Sequence, residues 1–252
     1  MFQNEAILIK KALGDSCIAI HHIGSTSVPG LTAKPIIDII PVVKNILEVD
    51  KFNAEMEKIG YEIKGEHGIA FRRFFQKGSP IRTHNVHIYE EGDPEIDRYL
   101  KFRDWMRLHD EDAQNYAKLK IELAQKYPDD ILNYCLGKDS FVANIDSKDG
   151  FNGWRMVQAL TDREWKAVYT LRSNDFSESF KSQNHIHFLF YKNSNIIGYA
   201  HIQLDKKKSA TLLMMVIDKP HQNLGFEEQF LNLCKRWVLH QGIARLQIPK
   251  KT

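Results

Sequence analysis

Cysteine is scarce in this chain of 252 residues: there are three, Cys17, Cys135 and Cys234, far apart and odd in number. That excludes a disulfide framework and a thiolate metal site, and it fits free thiols in a reducing compartment. Long apolar runs are missing too. The longest, Ile36 to Val43, is interrupted by Asp38, and it falls far short of the roughly 20 residues that cross a bilayer. Met1 to Gly14 lacks the apolar core of a secretory signal. Charge of one sign is also low. The net charge is +3, and no basic stripe interleaved with aromatics is present, which argues against nucleic acid as a partner. The expectation is a cytoplasmic protein with no membrane partner. What is present is a hydrophobic fraction of 43%, enough for packed cores, and a length that suits one large domain or two ordinary ones.

Hydrophobic periodicity gives the organisation. Phe2 to Leu13 reads as an amphipathic helix with Ala6, Ile9 and Leu13 on one face. Cys17 to Ile20 and Ile36 to Val43 read as strands around a Gly-rich turn, Gly24 to Gly30. Val49 to Gly60 reads as a helix, and three strands follow at Tyr61 to Lys64, Ala70 to Gln76 and Thr83 to Tyr89. Asp93-Pro94 is a helix start, and the chain then reads as helical to about Asn144, with a break near Pro128. Residues 147–153, polar and carrying two glycines, are the expected linker between a domain over 1–146 and one over 154–252. In the second domain Thr161 and Glu164 have the spacing of a capping box, opening a helix to about Ser173. Strands are expected at His187 to Lys192, Ile196 to Leu204 and Ala210 to Ile217, with a hairpin at Asn193-Ser194-Asn195 and a solvated loop at Lys206 to Lys208. Leu224 to Gln241 is a helix with Phe226, Phe230, Leu233 and Trp237 in one stripe, and Ala244 to Ile248 is a last strand.

Two segments carry chemistry. In the first, Gly24 lets the backbone approach a ligand, Ser25 and Thr26 offer groups suited to phosphate oxygens, and Lys34 adds a positive charge. Asp38 stands in a strand otherwise apolar on both faces, where a carboxylate needs a metal, a cation or hydrogen bonds. An ordinary turn, with Asp38 paired to Lys34, is the alternative.

The run His22-Ile23-Gly24-Ser25-Thr26, Val28-Pro29-Gly30-Leu31, Ala33-Lys34-Pro35 and Ile37-Asp38-Ile39 resembles the signature of the GrpB family. The likeness continues through Arg82 to His87, Leu100 to Asp104, Tyr116 to Lys120, and Tyr134, Lys138 and Phe141. GrpB domains are similar to nucleotidyltransferases, so the resemblance implies a mixed sheet with helices, a Gly-Ser turn for phosphates and strand carboxylates for divalent metal. Carboxylates two apart on a strand share a face, and a metal pair would clamp an in-line phosphoryl displacement. Here Ile40 follows Asp38 at that spacing, so the second carboxylate is absent; Glu66 and Glu90 are the remaining candidates. The implied site has Asp38 and His87 as catalytic groups, Asp38 as a ligand for Mg2+ arriving with a nucleotide, and Gly24, Ser25, Thr26, Lys34, Arg103, Lys120 and Lys138 around the phosphates. Asn85 and His87 share one face of their strand and His84 takes the other.

The second segment runs from Leu212 through Ile217, Gln222 and Gly225 to Glu227: a strand, a tight loop and a helix N-terminus, an arrangement that binds pyrophosphate. It resembles the acyl-CoA motif of the GNAT N-acyltransferases, which implies a second mixed sheet flanked by helices that here stops after its fifth strand. It also implies acetyl-CoA as cofactor, held by Val216, Ile217, Gln222, Leu224, Gly225 and Phe226. Glu227 stands where a small residue is expected; it either repels the pyrophosphate or caps the exposed amides. His185 and His201 are the available acid or base groups, and both also read as ordinary polar residues. The chain is thus expected to be α+β with α/β elements, and either a transferase or a degenerate nucleotide- or CoA-binding module. GrpB domains fused to dephospho-CoA kinase suggest a CoA link for both halves. An open sheet edge after Ile248 would suit pairing with another copy.

Overall fold

A computed structural model describes residues 2–172, 182, 184–205 and 209–249. The chain forms two compact units, one of Met1–His67 and Phe71–Gly153, the other of Gly68–Ala70 and Trp154–Thr252. The Lys206–Lys208 loop and the end of a helix at Ser173 lie outside the described residues.

The first unit opens with helix α1 (Phe2–Leu13), which buries Ile9 and Leu13. Its sheet contains β1 (Cys17–Ile23), β2 (Ile37–Val43), β3 (Tyr61–Gly65), β4 (Arg73–Lys77) and β5 (His84–Glu90) in the order β1-β2-β5-β4-β3, with β2 and β5 parallel and the other pairs antiparallel. β1 runs three residues past the expected Ile20 because His21, His22 and Ile23 find partners in Ile40, Ile39 and Asp38. β4 starts three residues later than expected, since Phe71 takes φ +67° and Ala70 gives its amide to Met156. The expected helix at Val49 is a 3-10 segment, Ile46–Phe52, started by Asn45, whose side chain accepts from the Leu47 amide; α2 (Asn53–Lys58) follows.

Residues alternate across β2. Ile37, Ile39 and Val43 enter the core beneath α1 and α2, while Ile40 and Val42 pack with Tyr89, Ile96, Tyr99 and Leu100. Asp38 therefore lies on the second face, two positions before Ile40. That face is covered by α3 (Pro94–Leu108), through Ile96, Tyr99 and Leu100, and α4 (Asp110–Lys126), α5 (Ile131–Leu136) and α6 (Asp139–Lys148) follow it in the chain. Asp93 caps α3 by accepting from the Glu95 amide. Residues 147–153, read as a linker, belong to this unit: Phe151 is buried, and its amide donates to Asp146, itself paired with Arg98 at 2.8 Å.

The second unit has β6 (Trp154–Gln158), α7 (Asp162–Arg172), β7 (His185–Lys192), β8 (Asn195–Asp205), β9 (Ser209–Ile217), α8 (Phe226–His240) and β10 (Leu246–Gln247). Its sheet order is β10-β9-β8-β7-β6; β10 is parallel to β9 and the other neighbours are antiparallel. The capping box forms, with Thr161 N donating to Glu164 Oε2 at 2.9 Å. β7 explains the two layers. Phe188 and Phe190 meet Trp237 and Phe230 of α8, while Leu189 and Tyr191 join Val168 of α7. The hydrophobic period thus matches the fold on both faces. An antiparallel meander followed by a strand–helix–strand crossover makes this a mixed sheet flanked by helices, as the GNAT resemblance implied. No helix among the described residues is long and apolar enough to cross a membrane.

Candidate functional site

The sheet register builds the first site. Asp38 pairs with Ile23 on one side and Asn85 on the other, so the turn that leaves β1 at Gly24 passes over the Asp38 carboxylate. Gly24 has φ +69°, and a Cβ there would stand 2.5 Å from Asp38 Oδ2. Only glycine accommodates both the backbone angle and that approach. Asn85 Nδ2 donates to Asp38 Oδ1 at 2.9 Å. Burial raises the Asp38 carboxyl above its usual range, against the Asn85 hydrogen bond and the Lys138 charge, which pull it down.

The turn is tied at several points. Ser27 Oγ donates to Gly24 O at 2.6 Å, Thr26 Oγ1 donates to Ile36 O at 3.3 Å, and Arg107 donates to Ser27 O at 2.7 Å. Since the Thr26 hydrogen is committed, the contact of His22 Nε2 with Thr26 Oγ1 at 3.0 Å has the imidazole as donor. Lys120 reaches the turn from α4 and donates to Ser25 Oγ at 2.8 Å and to Thr32 O at 2.6 Å. Lys34 and Lys138 both stand over the Tyr134 ring, at 4.8 and 4.6 Å, and Lys120 stands over Tyr116 at 4.9 Å. Gly24, Ser25, Thr26, Asp38 and Lys120 therefore meet at one turn; Lys138 acts through its charge on Asp38 and Lys120, and Lys34 joins Lys138 at the Tyr134 ring. Arg103 is held at its edge, with Nη1 donating to His22 O at 3.1 Å and Nε to Asp104 at 2.8 Å.

His87 faces the same carboxylate, with Nε2 4.0 Å from Asp38 Oδ1. Its Nδ1 lies 3.3 Å from Arg72 Nη1. Arginine has only donors, so Nδ1 accepts and the ring proton sits on Nε2, towards Asp38. Burial first, then the Arg72 charge, hold His87 well below its ordinary range, and it stays neutral. Phe74 and Tyr99 flank the ring at 4.8 and 5.8 Å. Sequence reasoning missed Arg72 and Phe74. Both fall in the strand expected over Ala70 to Gln76, two positions apart and so on one face, which was the available signal.

The donor set does not fit two divalent ions. Ile40 is wholly buried in the core, Glu66 Oε1 accepts from the Phe71 amide, and Glu90 Oε2 accepts from the Ile46 amide. Among the described residues no group of three or more His, Cys, Asp or Glu could hold a metal. Asp38 alone suits a magnesium ion that brings its other ligands as phosphate and water.

In the second unit Gly225 is open: it has φ +86°, and a methyl group there would meet no heavy atom within 4 Å. It precedes α8, and Leu224 beside it is exposed while Phe226 is half-buried. Gln222 Nε2 donates to Ile217 O at 2.8 Å, and Glu227 Oε1 accepts from the Asn223 amide at 3.2 Å. Glu227 thus caps its own loop. Val216 and Ile217 lie in β9 opposite Tyr199 and Gly198. β10 pairs only with Ala210 and Thr211, so β9 beyond them continues without that neighbour. His185 Nδ1 and His201 Nε2 are 2.7 Å apart, and Arg172 Nη1 is 3.2 Å from His201 Nδ1. This makes both histidines members of a polar network under α7.

The chain is 50% identical over 145 residues to UPF0157 protein YqkA of Bacillus subtilis, covering 58% of this chain and 42% of YqkA. It therefore spans less than half the length of that relative. The crystal structure of conserved protein GrpB from Enterococcus faecalis superposes with a TM-score of 0.56 at 45% identity, over 59% of this chain and 89% of that one. The ribosomal-protein-S18-alanine N-acetyltransferase of Escherichia coli is also similar, at 20% identity and a TM-score of 0.33 over 38% of this chain and 65% of that one. The GrpB protein family model matches residues 1–148, and the chain belongs to that family.

Proposed function

We propose that the first unit binds the phosphates of a small nucleotide at the Gly24–Thr26 turn. The observation that carries this reading is the gathering of lysines beside a single carboxylate, Asp38: Lys120 donates to Ser25 of the turn, Lys138 acts through its charge on both Asp38 and Lys120, and Lys34 shares the Tyr134 ring with Lys138. Such an excess of positive charge in a half-buried site calls for an anion. Asp38 would hold one Mg2+ that the nucleotide delivers. Calorimetric titration with a nucleotide panel, with and without magnesium, tests the reading. Lys138→Ala should weaken affinity about tenfold, the loss of one charge-assisted hydrogen bond. Absence of heat for every nucleotide would defeat it.

A second reading concerns the other unit, and the open Gly225 at the start of a 15-residue helix favours it. There the pyrophosphate of a CoA thioester would meet the helix amides, with its acyl arm along β9. Turnover of acetyl-CoA with an amine acceptor separates an N-acyltransferase from a module that only senses CoA.

A further inference from the structure

The turn carries three hydroxyls in a row, and they are not equivalent. Thr26 and Ser27 each donate their hydrogen to a backbone carbonyl. Ser25 Oγ instead accepts from Lys120 Nζ at 2.8 Å, which leaves its own hydrogen uncommitted. Lys120 is buried, and its other bond goes to the neutral Thr32 carbonyl.

We propose that Ser25 and Lys120 act as nucleophile and general base, and that Ser25 takes a phosphoryl or nucleotidyl group from the phosphoanhydride of a bound nucleotide. This rests on the nucleotide reading above. In the step, Ser25 Oγ bonds to phosphorus, the phosphorus–oxygen bond to the departing phosphate breaks, and the Ser25 proton passes to Lys120 Nζ. The leaving phosphate carries away the bonding electron pair, beside Lys34 and Lys138. Attack at the terminal phosphorus leaves phosphoserine and a nucleoside diphosphate. Attack at the first phosphorus leaves a nucleotidyl-serine and pyrophosphate.

Geometry permits the proton transfer. Neutral Lys120 has one lone pair and two hydrogens; a hydrogen keeps the bond to Thr32 O while the lone pair accepts from Ser25. Burial and the neighbouring Lys138 charge push the ammonium down to about 8. Roughly one molecule in ten then carries the neutral amine at pH 7, a range in which lysine serves as a base. The other titratable groups around the pair are Tyr116 on the same helix, Tyr134, Lys34 and Asp38. The turn is held by the bonds from Ser27, Thr26 and Arg107, which keeps Ser25 in place.

The test uses the full chain with saturating ATP and Mg2+ from pH 6.5 to 9.5, with mass spectrometry of the intact protein and its peptides and calorimetry on the same samples. The expected result is a phosphoryl or nucleotidyl adduct on Ser25, forming about tenfold faster per pH unit below 8 and levelling above it. Ser25→Ala, a truncation that leaves Lys120 its Thr32 bond, should form no adduct at an ATP concentration that calorimetry shows to saturate that variant. Ser25→Cys should restore the adduct with a different pH profile, and Lys120→Arg, read at its own saturating ATP concentration, should lose the adduct at least tenfold. ATP binding without an adduct on Ser25, or a rate that falls through pH 8, would overturn the base role and leave the binding reading intact. No ATP binding would defeat both.

Discussion

A methyl group on Gly24 would meet Asp38 Oδ2 at 2.5 Å, and the backbone there is left-handed. Two separate penalties meet at this residue, one steric and one conformational. Gly24→Ala should destabilise the protein by about 1–3 kcal/mol in urea unfolding. Combined with Asp38→Ala the cost should be less than the sum of the single changes, because the steric part is gone. Full additivity would show that the carboxylate does not define the turn. Glu227 is the matching residue in the second unit. Its carboxylate already accepts from the Asn223 amide, so Glu227→Ala frees the loop for an anion and should strengthen CoA binding about tenfold by calorimetry. Unchanged or weaker affinity would argue against a CoA site.

At the scale of elements, what the sequence made legible follows from period and register. The apolar run Ile36 to Val43 identified β2, its one carboxylate singled out Asp38, and the capping signals at Asp93 and Thr161 formed as read. The contact of Asp38 with Gly24 was not legible. It depends on β1 continuing through His21 and His22, polar residues whose strand character comes from pairing with β2. β6 was missed because its five residues stay in place through β7 on one side and a bridge from Ile69 to Val157 on the other. The histidines on β7 and β8 yield a pH prediction. Burial, then His187 and His185, lower His201 to about 3. Folding favours its neutral form, so this stabilisation is present above the ordinary histidine range, near 6.5, and is lost as the pH falls from there towards 3. The urea midpoint should drop between pH 7 and 5, and His201→Gln should reduce that drop. Equal drops in both proteins would remove His201 as the cause.

At the scale of the whole molecule, each unit carries its own sheet and its own buried clusters. The two sites are therefore separate proposals with separate ligands. The two units divide after Gly153, with Gly68–Ala70 belonging to the second. The packing of residues 147–153 onto the first unit was not legible, since it rests on the Arg98–Asp146 pair and a buried Phe151, partners far apart in sequence. The central claim is that a nucleotide phosphate sits at the Gly24–Thr26 turn. Amide chemical-shift mapping of the full chain with ATP and Mg2+ tests it directly. Shifts are expected at Ser25, Thr26, Lys34, Asp38, Lys120 and Lys138, with residues 154–249 unmoved; an unchanged spectrum at these positions, or shifts confined to the second unit, would contradict it.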